Sequence, residues 1–153
     1  MIIMKNVYKK YPNGVVAVNG IDVTISQGEF VYVVGASGAG KSTFIKLMYR
    51  EEKPTKGTII VNGLDITKMR SSKIPLLRRK IGVVFQDFKL LPKLTVYENI
   101  AFALEVIEES PRVIRKKVLE VLDLVNLKHK ARMFPTELSG GEQQRVALAR
   151  ALT

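Results

Sequence analysis

The chain has 153 residues, of which 46% are hydrophobic, and carries a formal net charge of +11. That length buries one core, the hydrophobic share excludes a disordered chain, and the absence of cysteine excludes disulfides and thiolate metal sites. The apolar start Met1-Ile2-Ile3-Met4 is too short for a signal peptide and no later run approaches a membrane span, so a cytoplasmic protein is expected.

In chain order, Ile2 to Tyr8 and Val15 to Ile25 alternate as strands, joined by Tyr11-Pro12-Asn13-Gly14, whose Asn-Gly pair signals a hairpin. Phe30-Val31-Tyr32-Val33-Val34 reads as a buried strand. It feeds Gly35-Ala36-Ser37-Gly38-Ala39-Gly40-Lys41-Ser42-Thr43, which satisfies G-x-x-x-x-G-K-[ST]. In that pattern backbone N–H groups surround a nucleotide's phosphates, while the lysine and a hydroxyl reach phosphate and Mg²⁺. Phe44-Ile45-Lys46-Leu47-Met48 continues as a helix whose N-terminus, near Lys41, faces the anion.

Thr58 to Val61 is a short strand, and Leu64 to Leu77 a loop with a brief helical piece limited by Pro75. Lys80 to Gln86 reads as a second buried strand ending on a polar residue. Ligands of open parallel sheets sit beyond the carboxyl ends of strands, which makes Gln86 a candidate, against the ordinary reading of a surface glutamine. Thr95 to Val106 is expected to be helical. Ser110-Pro111 opens another helix, with Ser110 as N-cap and Ile114, Val118, Val121, Leu122 and Val125 on its core face.

Leu138-Ser139-Gly140-Gly141-Glu142-Gln143-Gln144-Arg145 is the second sharp signal. Ser139 with Glu142 makes a capping box, which explains a helix start without a ligand. Two glycines in the first turn each cost about 1 kcal/mol relative to alanine, and bare N–H groups there suit close approach to a phosphate. The basic clusters Lys9-Lys10, Arg78-Arg79-Lys80 and Arg112 to Lys117 are dispersed and not interleaved with aromatics. Anionic nucleotide and an anionic membrane surface are therefore favoured over nucleic acid as consumers of the charge.

The phosphate loop, Gln86 and the Leu138–Arg145 motif, in this order with a helical insert between, resemble the nucleotide-binding domain of ATP-binding-cassette proteins over essentially the whole chain. Val83 to Leu91, Thr95 to Ile100 and Ile74 to Arg79 resemble the bacterial cell-division ATPases of that superfamily. ATPases of lipoprotein- or macrolide-exporting systems are the nearest rival. The resemblance implies an α/β P-loop NTPase fold: an antiparallel β subdomain, an incomplete parallel core sheet and a helical subdomain. One ATP-binding domain then spans 1–153, with a strand-rich part over 1–86, a mainly helical part over 87–137 and the signature helix over 138–153.

The resemblance also implies roles. Lys41 contacts the β- and γ-phosphates and Ser42 ligates Mg²⁺. Thr43 and the amides of Gly38, Ala39 and Gly40, within the loop of Gly35 and Ser37, hold other phosphate oxygens. Gln86 approaches metal and attacking water. Ser139 and Gly141, flanked by Gly140 and Glu142, meet the γ-phosphate of a nucleotide held by a second subunit of an ATP-dependent homodimer. Tyr11 stacks on adenine, set against the nearby Tyr8 and the ordinary reading of a single tyrosine at a hairpin as packing.

The partner implied is an integral membrane subunit, with the ATPase peripheral on the inner face of the membrane. The family's metal-binding aspartate, catalytic glutamate and switch histidine follow the signature helix and lie beyond Thr153, so the 153 residues are expected to bind nucleotide without turnover. His129 precedes the signature and reads as a solvated loop residue. A non-catalytic nucleotide-gated module is the alternative of another class, and ATP against GTP is open. The strands Phe30–Val34 and Ile81–Phe85 should not pair, standing roughly 14 Å apart with two strand positions between them.

Overall fold

The computed structural model describes all 153 residues, Met1–Thr153. Backbone contacts divide them into two compact units, Met1–Arg78 and Arg79–Thr153.

In the first unit, β1 (Ile2–Lys10) and β2 (Val16–Ile25) form the expected antiparallel hairpin, with Ile2 opposite Ile25 and Lys10 opposite Val16. Gly14 takes φ 88° in its turn and donates to the Tyr11 carbonyl at 2.9 Å. β3 (Lys56–Val61) pairs antiparallel on the other side of β1, and the two-residue β4 (Leu64–Asp65) closes the order β2-β1-β3-β4. The β1 ladder is interrupted at Asn6, whose amide turns to the Asp22 carboxylate at 2.9 Å. Opposite it Gly57 is obligatory: at φ 94° a Cβ there would lie 2.2 Å from the Asn6 carbonyl oxygen. Met4, Val7, Val18, Ile59 and Val61 supply the buried side of the sheet, and α1 (Lys41–Met48), which contacts β2, buries Phe44 and Leu47.

α2 (Ile74–Arg78) ends this unit. Pro75 stands in its first turn, where a missing N–H costs nothing, so it begins the helix that it was expected to limit. Arg78 donates to the carbonyls of Tyr49 and Arg50, each at 3.1 Å. The buried Arg50 in turn donates to Ile66 O at 2.6 Å, so the ends of α1 and α2 are tied through backbone carbonyls.

The second unit is helical. α3 (Val96–Glu105) starts at a complete capping box, Thr95 with Glu98. α4 (Pro111–Leu124) starts at Ser110 and Pro111 as expected, although the Ser110 hydroxyl makes no capping bond. α5 (Gly140–Leu152) completes the bundle. Val96, Ile100, Leu104, Val118, Leu122, Leu127 and Val146 are fully buried between these helices. His129 lies exposed in the short 3₁₀ turn Lys128–Lys130.

One expectation needs correction. Neither Phe30–Val34 nor Lys80–Gln86 is a strand, and the antiparallel sheet is the only one. Phe30 is 80% and Val34 86% exposed, so the first run is not buried either, while Ile81, Val83 and Phe85 of the second are half-buried in alternation with exposed neighbours. The chain traverses both segments, yet a parallel strand is defined by bonds to neighbours on either side, and these two runs bond neither to each other nor to any other strand.

Candidate nucleotide-binding site

The phosphate loop is shaped by its glycines. Gly38 and Gly40 sit at φ 80° and 85°, in the left-handed region that β-carbons disfavour. Gly40 is also sterically required, since a Cβ there would stand 1.9 Å from the Ala17 carbonyl oxygen of β2. β2 thus backs the loop directly and fixes the start of α1. Ala39 N donates to Ala36 O at 3.2 Å, and Lys41 folds back so that its Nζ donates to Gly35 O and Ala36 O at 2.7 Å each. The ammonium therefore occupies the inside of its own loop, held by two carbonyl oxygens that a phosphate oxygen can replace. Ser42 is exposed at the N-terminus of α1, where free N–H groups and the positive dipole end favour an anion. Ser37 and Ala39 are exposed beside it.

Tyr11 and Thr43 are brought together. The Tyr11 hydroxyl lies 3.1 Å from Thr43 Oγ1, although the residues are 32 apart in sequence. One face of the Tyr11 ring is covered by Lys9 Nζ, 4.9 Å from the centroid, and Lys9 is itself fixed by Glu52 at 2.7 Å and Lys53 O at 2.9 Å. The half-buried ring is thereby tied to the start of α1 through Thr43. Tyr8 is placed differently, against Gly20, whose Cβ would lie 2.8 Å from the Tyr8 hydroxyl. It is packing.

The remaining candidates lie in the second unit. Gln86 is exposed in a tight turn closed by Phe88 N donating to Phe85 O at 3.0 Å. At the N-terminus of α5 the expected capping box is complete. Ser139 N and Oγ both donate to Glu142 Oε2 at 2.9 Å, and the Glu142 amide donates to Ser139 Oγ at 3.4 Å. The other carboxylate oxygen accepts from Lys130 Nζ at 2.5 Å. Lys130 first, then the Ser139 amide and hydroxyl, hold the Glu142 carboxyl down at about 2. Lys130 belongs to this cluster and is not among the residues the sequence singled out.

A Cβ at Gly140 or Gly141 would meet nothing within 4 Å. Nothing in the chain's own packing demands glycine at either position, so the open space over the first turn of α5 is available for close approach from outside.

These features coincide with a match to the ABC transporter family over residues 18–153. The chain belongs to that family. It is 73% identical over 152 residues to the cell division ATP-binding protein FtsE of Bacillus subtilis, covering 99% of this chain and 67% of that protein. It is 60% identical to FtsE of Streptococcus pneumoniae, covering 66% of that protein. The chain thus spans about two thirds of the length of these relatives. Among solved structures, the ATP-binding cassette MJ0796, captured as a dimer in a post-hydrolysis state with ADP and Pi, superposes with a TM-score of 0.90 at 38% identity, over 99% of this chain and 69% of that one. The α/β cassette fold expected from the motifs is therefore shown.

Proposed function

We propose that this chain is the ATP-binding part of an ABC ATPase subunit that works in bacterial cell division, in the manner of the FtsE proteins it resembles, with an integral membrane partner of the FtsX type that controls peptidoglycan hydrolysis. The observation that carries the nucleotide reading is the phosphate loop: left-handed Gly38 and Gly40, the latter seated on β2, and a lysine ammonium held inside by exchangeable carbonyls. This donor set fits a Mg²⁺-bound nucleotide. Lys41 holds the β- and γ-phosphates, Ser42 ligates Mg²⁺, Thr43 and the amides of Gly38, Ala39 and Gly40 take other phosphate oxygens, and Tyr11 stacks on adenine.

Gln86 serves the metal and attacking water, and Ser139 and Gly141 the nucleotide of a second copy in an ATP-dependent homodimer. Those roles rest on the resemblance, supported by the exposure of Gln86 and the open first turn of α5. Phe88 and Leu90 are half-buried and Leu91 is 37% exposed, which leaves apolar surface after Gln86 for a membrane subunit to engage. No helix is long and apolar enough to cross a membrane, in keeping with a peripheral place on its inner face.

Phosphoryl transfer depends on a positioned water and metal, and Lys41 is the residue of this chain through which the bound phosphates are held for it. Equilibrium binding of a fluorescent ATP analogue tests the reading: Lys41→Ala should lower affinity at least about tenfold, the scale of one charge-assisted contact. Equal affinity of Lys41→Ala and wild type would overturn the site.

A further inference from the structure

Two consecutive residues after Gln86, Phe88 at φ 57° and Lys89 at φ 45°, adopt the left-handed conformation without being glycine. Such strain persists only where the surroundings over-determine it. Here the determinant is Arg150, in the last turn of α5. Its Nη2 donates to Phe88 O and its Nη1 to Lys89 O, both at 2.8 Å, across 62 and 61 residues of sequence. The guanidinium is half-buried, and burial disfavours its charge. It forms no ion pair, since none of the chain's salt bridges includes it.

The half-buried charge is met by backbone carbonyls, as at Arg50 and Arg78, where the planar fork of arginine could otherwise meet a carboxylate. The next residue of α5 acts on the other side of Gln86. Gly82 approaches so closely that a Cβ would stand 2.3 Å from Ala151 O. The segment carrying Gln86 is thus held before and after the glutamine by two successive residues of one helical turn.

We infer that Arg150 is a positioning residue for Gln86, fixing through the carbonyls of Phe88 and Lys89 the turn that presents the glutamine side chain. The inference rests on the proposed role of Gln86 for its functional meaning. α5 runs from Gly140 to Leu152, about 20 Å at 1.5 Å per residue, with Ser139 capping one end and Arg150 near the other. One helix thus carries both the signature turn and the residue that bonds the Gln86 turn.

A basic residue in a last helical turn also complements the helix dipole, and the two roles separate in Arg150→Lys, which keeps the charge and loses the two-carbonyl fork. Amide hydrogen exchange of the 153-residue chain without nucleotide, for wild type, Arg150→Lys and Arg150→Ala, reads the difference. Both variants should exchange about tenfold faster at Phe88 and Lys89, with α3 and α4 unchanged. The side-chain amide resonance of Gln86 should move toward its value in a short peptide in both. Wild-type exchange in Arg150→Lys, uniform acceleration across the helices, or an unmoved Gln86 resonance would overturn the inference.

These readouts do not depend on bound nucleotide, so they stand apart from the functional reading. Addition of Mn²⁺ and ATP to wild type tests that reading separately: broadening of the Gln86 resonance supports its place at the metal. No broadening removes the metal role and leaves the positioning claim to the exchange result.

Discussion

The Tyr11 hydroxyl stands 3.1 Å from Thr43 Oγ1, so the residue expected to stack on the base is bonded to one expected to hold phosphate. The bond fixes the ring while occupying the hydroxyl of Thr43. Tyr11→Ala removes the stacking face and should weaken ATP binding by roughly 1–3 kcal/mol, the range for base–aromatic stacking. Tyr11→Phe keeps the face and frees Thr43, so its affinity should equal or exceed that of wild type. Tyr8→Ala, which loses packing on Gly20, should lower the melting temperature without that loss of affinity. Equal losses of affinity from Tyr8→Ala and Tyr11→Ala, measured by nucleotide titration, would count against the assignment.

Gly38 and Gly40 offer an internal comparison. Both have φ near 80°, so alanine at either costs about 1–2 kcal/mol of left-handed strain. At Gly38 nothing lies within 4 Å of the added Cβ, and strain is the whole cost. At Gly40 the Cβ would meet the backbone oxygen of Ala17, which cannot swing aside as a side chain could. Gly40→Ala should therefore lose nucleotide binding and lower the urea midpoint well beyond Gly38→Ala. Similar midpoints for the two variants would show that β2 does not back the loop.

Much of this was legible in the sequence because its causes are local. Asn13-Gly14, Ser110-Pro111 and the Ser139–Glu142 capping box act over two to four residues, and each marks an element boundary in the structure. Phe30–Val34 was misread for the opposite reason. Its apolar run is plain, but pairing is a property of neighbouring strands, which the run itself does not contain. Asn99 was missed because a polar residue among Ile100, Ala101 and Leu104 carries no sequence mark of its partners. The Arg150 fork spans 61 residues, and left-handed Phe88 and Lys89 have no local signal of the kind glycine gives.

The capping box of α5 should give the chain a measurable acid response. The Glu142 carboxyl is held at about 2, well below its ordinary 4.5, by Lys130 and then by the Ser139 amide and hydroxyl. A depressed carboxyl stabilises the folded state fully above the unfolded value. The contribution declines as pH falls from about 4.5 and is gone below about 2. Glu98, Asp87 and Glu51 are also held down, so the test is a difference. The gap in urea midpoint between wild type and Glu142→Gln should be constant above pH 5 and shrink towards pH 3. Lys130→Met should narrow that gap at neutral pH. A gap independent of pH would show that the carboxylate is not held by these partners.

Asn99 is fully buried in α3 and secures the stretch that leads into it. Its Oδ1 accepts from the Leu91 amide at 2.8 Å, and its Nδ2 donates to the carbonyls of Leu91, Leu94 and Thr95 at 3.0, 2.9 and 3.0 Å. Asn99→Leu has comparable bulk and leaves these groups without a partner, so it should cost about 1–3 kcal/mol in urea denaturation. Asn99→Asp is the more telling change. The carboxylate keeps an acceptor for the Leu91 amide, yet its second oxygen replaces a donor and faces three carbonyl oxygens in a buried place. Burial and those carbonyls both favour the protonated acid, so its folded-state pKa rises above the unfolded value. The folded chain then binds the extra proton, and the stability deficit of Asn99→Asp relative to wild type should be largest at neutral pH and shrink as pH falls towards 5. Asn99→Leu, with nothing to titrate, should show a deficit that does not vary over the same interval. A pH-independent deficit for Asn99→Asp would mean that residue 99 is hydrated, and that the stretch from Leu91 to Thr95 is held by something other than the asparagine amide.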